Sequence, residues 1–125
     1  MGLGQAFLRA DSLGVSNVRP IEGTEQSPEL PRRSVDAVLI VDSYHEFSYP
    51  AEMLAGLRDG LRNGGRLFIV EYRGEDDTLP VDRLHRMTEA QVRAEVEAAG
   101  FTFVANHAVL PQQHLLVFER AEGVE

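Results

Sequence analysis

The stretch Ser34 to Phe47, SVDAVLIVDSYHEF, limits the fold more than any other part of the chain. Val35 through Val41 is an apolar, β-branched run broken only by Asp36. It is too short for a buried helix and suits a strand buried on both faces, as in a parallel sheet with helices above and below. At its carboxyl end stand Asp42, Ser43, Tyr44, His45 and Glu46. Polar groups crowd there at the point where an α/β sheet places its ligand crevice.

The residues that follow support this reading. Pro50 sits where a first helical turn accepts proline, and Met53, Leu54, Leu57 and Leu61 form one apolar stripe. Asn63-Gly64-Gly65 is expected to end that helix, and Arg66 to Glu71 (RLFIVE) to form a second buried strand. Strand, helix and strand with short connections make a βαβ unit with a right-handed crossover. Residues 74–86 read as an irregular excursion over the carboxyl edge of the sheet. Thr88 and Gln91 match a capping box, which opens a helix running to Ala99 with Gly100 as its stop. Phe101 to Leu110 and His114 to Arg120 then read as an antiparallel hairpin turned by Pro111-Gln112-Gln113. Upstream, Ala6, Phe7, Ala10 and Leu13 recur at helical spacing over Gln5 to Leu13, and Gly14 is a fair stop. Asn17 to Glu22 reads as a short strand, confined to a sheet edge by Pro20.

Composition bounds the function. The length of 125 residues fits one domain, residues 1–125, and 43% hydrophobic residues argue for a packed core. A formal net charge of -8 disfavours nucleic acid and acidic membrane surfaces as partners. No run has the length of a transmembrane helix, and the amino terminus lacks a signal-peptide pattern. The absence of cysteine excludes disulfides, thiolate metal sites and cysteine nucleophiles, and fits a cytoplasmic protein.

The order VDAVLIVDSYHEF, helix, NGGRLFIVEYR, TEAQVRAEVEAAGF and closing hairpin resembles the carboxyl-terminal part of class I S-adenosylmethionine-dependent methyltransferases. The two glycines before Arg66 resemble that family's turn into its fifth strand, and Ile21 to Glu25 (IEGTE) resembles the end of its third. The resemblance runs from about the first helix to Arg120. It implies an α/β fold, a truncated Rossmann-like methyltransferase sheet, mostly parallel and closed by a C-terminal antiparallel hairpin. The sequence departs from the family at its start. The family's glycine-rich loop under the cofactor, and the acid that holds the ribose hydroxyls, have no counterpart before Phe7. Gly2 and Gly4 give a G-x-G that no strand precedes, and it is read as the start of the chain rather than a cofactor loop. Without the two missing strands, Val35 to Val41 is left with an unpaired apolar edge, which proteins normally pair or cover. Either Val18 to Glu22 moves in beside it or a second chain does, with a homodimer favoured.

The resemblance also implies the site. Thr24 and Glu25 fall where the family places an acid on the adenine amino group, although an exposed loop acid is an equal reading. Asp42, Ser43 and Tyr44 fall at the cofactor side of the crevice. His45 is placed as a general base on a hydroxyl or amine acceptor, with Asp42 or Glu46 orienting it, since imidazole titrates near neutrality. The alternative is that Tyr44 and His45 cap the next helix or pack beneath the loop. Glu71, Tyr72 and Arg73 are expected to line the acceptor pocket, Tyr72 shaping it and Arg73 holding an anion; a plain Glu–Arg surface pair is the alternative. His85 and Met87 lie in an excursion that lids the site. His45, His85 and His114 with Asp42 are chemically able to hold zinc or iron, but their spacing matches no metal motif and no metal is expected. The expected activity is methyl transfer from S-adenosylmethionine to a small molecule, assigned to His45, Glu46 and Tyr72. The alternatives are a non-catalytic module that dimerises or docks a partner through the sheet edge, and binding of another nucleotide-like ligand in the crevice.

Overall fold

A computed structural model describes Arg9 and residues 12–121. The expected helix over Gln5 to Leu13 lies almost wholly outside the described residues. The rest is an α/β sheet whose elements follow in the order β1 (Val35–Val41), α1 (Pro50–Gly60), β2 (Leu61–Arg73), β3 (Arg86–Met87), α2 (Glu89–Ala98), β4 (Phe101–Asn106) and β5 (Gln113–Arg120). Short 3-10 turns stand at Tyr44–Glu46 and Arg83–His85.

The sheet order is β1-β2-β5-β4, with β3 also paired to β2. Its parallel content is smaller than expected. β1 and β2 pair in parallel, β3 adds two parallel residues at Tyr72 and Arg73, and the β2–β5 and β4–β5 ladders are antiparallel. The last strand therefore lies between β2 and β4.

The expected strand at Asn17 to Glu22 does not form. Val18 and Ile21 stay exposed, and Pro20 removes a ladder donor from the middle of the segment. β1 consequently has β2 as its one strand partner among the described residues. It is also not buried on both faces. Ile40 reaches the core, whereas Leu39 is 65% and Val41 49% exposed. Side chains alternate across a strand, and both described helices contribute to the one core that Ile40 joins. That core packs Leu54 and Leu57 of α1 and Val92 and Val96 of α2 against Leu67 and Ile69 of β2 and Leu116 and Phe118 of β5.

Two boundaries differ from expectation for local reasons. α1 stops at Gly60, and Leu61 takes an extended conformation with its amide still bonded to the Leu57 carbonyl. Leu61 is fully buried as the first residue of β2 rather than the last of a helical stripe. Asn63-Gly64-Gly65 forms a bulge inside β2, where five residues of β2 are spanned against two of β1. Gly64 there has φ +76°, a left-handed conformation that costs glycine little. In the hairpin, β4 ends at Asn106, so the connection to β5 is longer than the three residues expected.

The capping box forms as the sequence indicates. Thr88 Oγ1 accepts from the Gln91 N–H at 3.1 Å, and Gln91 Oε1 accepts from the Thr88 N–H at 2.9 Å. α2 then ends before Gly100, at φ +95°.

Candidate functional site

Asp42 ends β1 in a left-handed conformation, φ 52°, and turns the chain across the mouth of the sheet. Tyr44 to Glu46 follow as a 3-10 turn with Ser43 at its start. On β2, Leu67, Ile69 and Glu71 share one face, and all three are fully buried. Glu71 therefore places a carboxylate at a position the strand's period assigns to the core. A buried carboxylate needs hydrogen-bond donors, and His45 supplies two. Its ring Nδ1 lies 2.8 Å from Glu71 Oε1 and 3.1 Å from Oε2, and its main-chain N–H donates to Oε2 at 3.2 Å. An ionised carboxylate only accepts, so opposite ionised Glu71 the ring Nδ1–H is the donor, and in the neutral ring Nε2 is left as the acceptor. That nitrogen faces His85, whose Nδ1 is 3.1 Å away. The two rings meet edge to face.

Above this pair lies a cleft of about 390 Å³, lined by Asp42, His45, Glu46 and Tyr72 from the strand ends and by Pro80, Val81, Asp82 and His85 from the excursion. The excursion is held in place at several points. Asp82 caps the turn Arg83–His85 by accepting from the Leu84 N–H at 2.9 Å. β3 pairs with the end of β2, and Arg86 donates to the Asp76 carbonyl oxygen. The excursion thus covers the carboxyl edge of the sheet as expected.

The structure brings His45, Glu46, Tyr72 and Asp42 together at this cleft, with His85 opposite. It does not bring the other expected residues there. Ser43 spends its hydroxyl on the Val41 carbonyl at 2.9 Å. Tyr44 is buried and donates to Glu95 Oε1 at 2.8 Å, joining the mouth of β1 to α2. Burial, together with the hydrogen bond to Glu95 and the nearby negative charge, raises the Tyr44 phenol far above its ordinary value. Thr24 and Glu25 stand in an exposed turn, in which Thr24 Oγ1 accepts from the Gln26 N–H at 3.2 Å. Neither lines the cleft.

Three roles are reassigned. Glu71, rather than Asp42 or Glu46, orients His45. Both carboxylate oxygens of Asp42 accept from Gln113 Nε2, at 2.8 and 2.9 Å, which ties β1 to β5 across β2. Arg73 does not reach into the cleft for an anion: it donates to the carbonyls of Leu110 and Pro111, at 2.7 and 3.1 Å, and fastens the hairpin connection. The signal for Glu71 was present in the sequence, since RLFIVE puts a carboxylate two residues after Ile69 on the same face of the strand.

His114 faces Glu71 across the β2–β5 ladder but belongs to a separate network. It meets Glu75 Oε1 at 2.9 Å and Asn106 Nδ2 at 3.0 Å, and Asn106 donates to Glu89 at 2.8 Å. Partial burial would raise the Glu75 carboxyl, but the Glu89 N–H, its own N–H and the His114 ring outweigh that and hold it below the usual range.

No family model matches the sequence, and no curated protein matches it either. Solved structures do match the fold. A SAM-dependent methyltransferase from Aquifex aeolicus superposes with a TM-score of 0.84 at 21% identity, over 94% of this chain and 62% of that one. The 1,6-didemethyltoxoflavin-N1-methyltransferase of Burkholderia thailandensis, solved with 1,6-didemethyltoxoflavin and S-adenosylhomocysteine, gives 0.73 at 19% identity, over 98% of this chain and 59% of that one. The [4+2]-cyclase SpnF gives 0.74 at 15% identity, over 97% of this chain and 63% of that one. The fold is that of the SAM-dependent methyltransferases, and the chain spans about three-fifths of the length of these structures.

Proposed function

We propose that the chain carries the acceptor side of an S-adenosylmethionine-dependent methyltransferase site. A small molecule binds in the cleft, and the His45–Glu71 pair takes the proton from its hydroxyl or amine. The observation that carries this reading is the enclosed Glu71 carboxylate on His45 Nδ1, which leaves the Nε2 lone pair at the cleft. A histidine held by a carboxylate in one tautomer is built to accept a proton at its other nitrogen. Tyr72 lines the acceptor pocket, and Glu46, 3.6 Å from Nε2, stabilises the imidazolium once it forms. A small acceptor rather than nucleic acid is supported by the net charge of -8 and by the neighbour solved with 1,6-didemethyltoxoflavin.

The donor would supply a methyl group on a sulfonium sulfur. Of Thr24, Glu25, Asp42, Ser43 and Tyr44, which the resemblance offers as its holders, Asp42 alone lines the cleft. The donor would therefore meet this chain at Asp42 and the cleft around it, and the roles assigned to side chains here are those of the acceptor side.

Calorimetry with S-adenosylmethionine and S-adenosylhomocysteine, followed by labelled-methyl transfer to a panel of heteroaromatic hydroxyl and amine compounds, tests the proposal. Binding of both compounds is expected, with turnover reduced about a hundredfold or more in His45→Ala. Absence of binding at millimolar ligand overturns it.

The exposed Leu39 and Val41, on a strand with no second neighbour among the described residues, support a second reading, a non-catalytic module that pairs through that edge of β1 with another copy of the chain in the cytoplasm. Light scattering at tens of micromolar tests this, and a monomer at that concentration rejects it.

A further inference from the structure

We propose that His45, His85 and Glu46 form a site for one divalent transition-metal cation of the zinc type at the mouth of the cleft. One ligand atom from each of the three residues lies within 4.8 Å of the others. His45 Nε2 is 3.1 Å from His85 Nδ1 and 3.6 Å from Glu46 Oε1. Two nitrogens each about 2.0–2.1 Å from one cation stand about 2.9 Å apart at a right angle and about 3.4 Å apart at the tetrahedral angle. The observed separation of the ring nitrogens falls between these. Glu46 supplies the third ligand from a three-residue turn, with a side chain that is 65% exposed.

A second observation points the same way. Glu71 pairs with His45 Nδ1 from inside the core, which turns Nε2 toward the cleft. This is the arrangement by which a carboxylate behind a histidine fixes the ring and raises its basicity toward a metal. Two imidazoles and one carboxylate with no thiolate suit a borderline cation and leave coordination positions open toward the cleft. Magnesium and calcium prefer oxygen ligands throughout. The other candidates from the sequence are committed elsewhere, His114 to Glu75 and Asn106, and Asp42 to Gln113. The three ligands come from the turn after β1 and from the excursion, so bound metal would fasten the excursion to the sheet. Metal on Nε2 occupies the lone pair that the proton transfer proposed above uses, so the two are alternative states of this nitrogen, and the inference does not depend on methyl transfer.

Without metal, His85 Nδ1 and His45 Nε2, 3.1 Å apart, share one proton in a hydrogen-bonded pair. Zinc calorimetry on the tag-free, chelator-treated chain separates the two arrangements. One zinc ion per chain is expected. Affinity should fall at least tenfold in His85→Ala and severalfold in Glu46→Gln, and tenfold to a hundredfold in Glu71→Gln. Co2+ bound at the site should give visible absorption bands that His85→Ala removes. His85 stands in an exposed turn, so that variant is expected to melt as the parent chain does. No saturable zinc binding overturns the proposal, as does binding that His85→Ala leaves unchanged. Magnesium bound as tightly as zinc overturns the assigned ligand class.

Discussion

Glu71 holds His45 twice, accepting from its ring at 2.8 Å and from its main-chain N–H at 3.2 Å. The side chain of one strand residue thereby fixes both the rotamer and the backbone of the turn beside it. Any chemistry at Nε2 inherits its direction from a carboxylate that solvent does not reach.

Replacing Glu71 should therefore cost stability as well as function. Glu71→Gln keeps the volume but can receive only through its single carbonyl oxygen, which leaves one His45 donor poorly served. A loss of about 1–3 kcal/mol is expected, read as a lower urea midpoint at unchanged slope. An unchanged midpoint would show that the carboxylate does not hold the turn.

Tyr44 sets an alkaline limit. Its phenol is raised in the folded chain by burial first and by Glu95 second. The native state therefore keeps a proton that the unfolded chain releases at about pH 10. The associated stability is complete below that pH and declines above it. Of the three tyrosines in the sequence, Tyr44 should titrate at 295 nm only as the circular dichroism signal collapses. Tyr44→Phe should remove that coupling. Simultaneous titration of all three in the folded chain would contradict the buried hydrogen bond.

Thr88 starts α2, which supplies Val92 and Val96 to the core. Thr88→Ala should destabilise the chain by about 1 kcal/mol, and Thr88→Ser by much less. Thermal melts of the two variants check this, and equal melts would show that the cap contributes nothing.

The parts of the fold that depend on local pattern were legible in the sequence. The β-branched run at Val35, the proline at the start of α1, and the Thr88–Gln91 box each act within a few residues. What was not legible depends on partners distant in sequence. Glu71 and His45 are 26 positions apart, and only the parallel pairing of β1 with β2 brings the end of one strand beside the turn after the other. Arg73 looked free to bind an anion because the carbonyls it holds belong to a hairpin connection more than thirty residues away. Val35 to Val41 read as wholly interior because hydrophobicity reports which residues avoid water, not how many layers are there to shelter them. The segment around Pro20 carried a strand-like composition, but composition cannot supply a neighbouring strand.

Asp42, Glu46 and Asp82 rim the cleft, Glu71 lies beneath it, and no lysine or arginine among the described residues lines it. This gives the opening a negative potential that discriminates among visitors before any specific contact forms. A sulfonium, a protonated amine or a metal ion should be drawn in, whereas phosphorylated or carboxylated metabolites should meet repulsion that added salt relieves. Selectivity by charge is thus built into the rim, one step ahead of selectivity by shape.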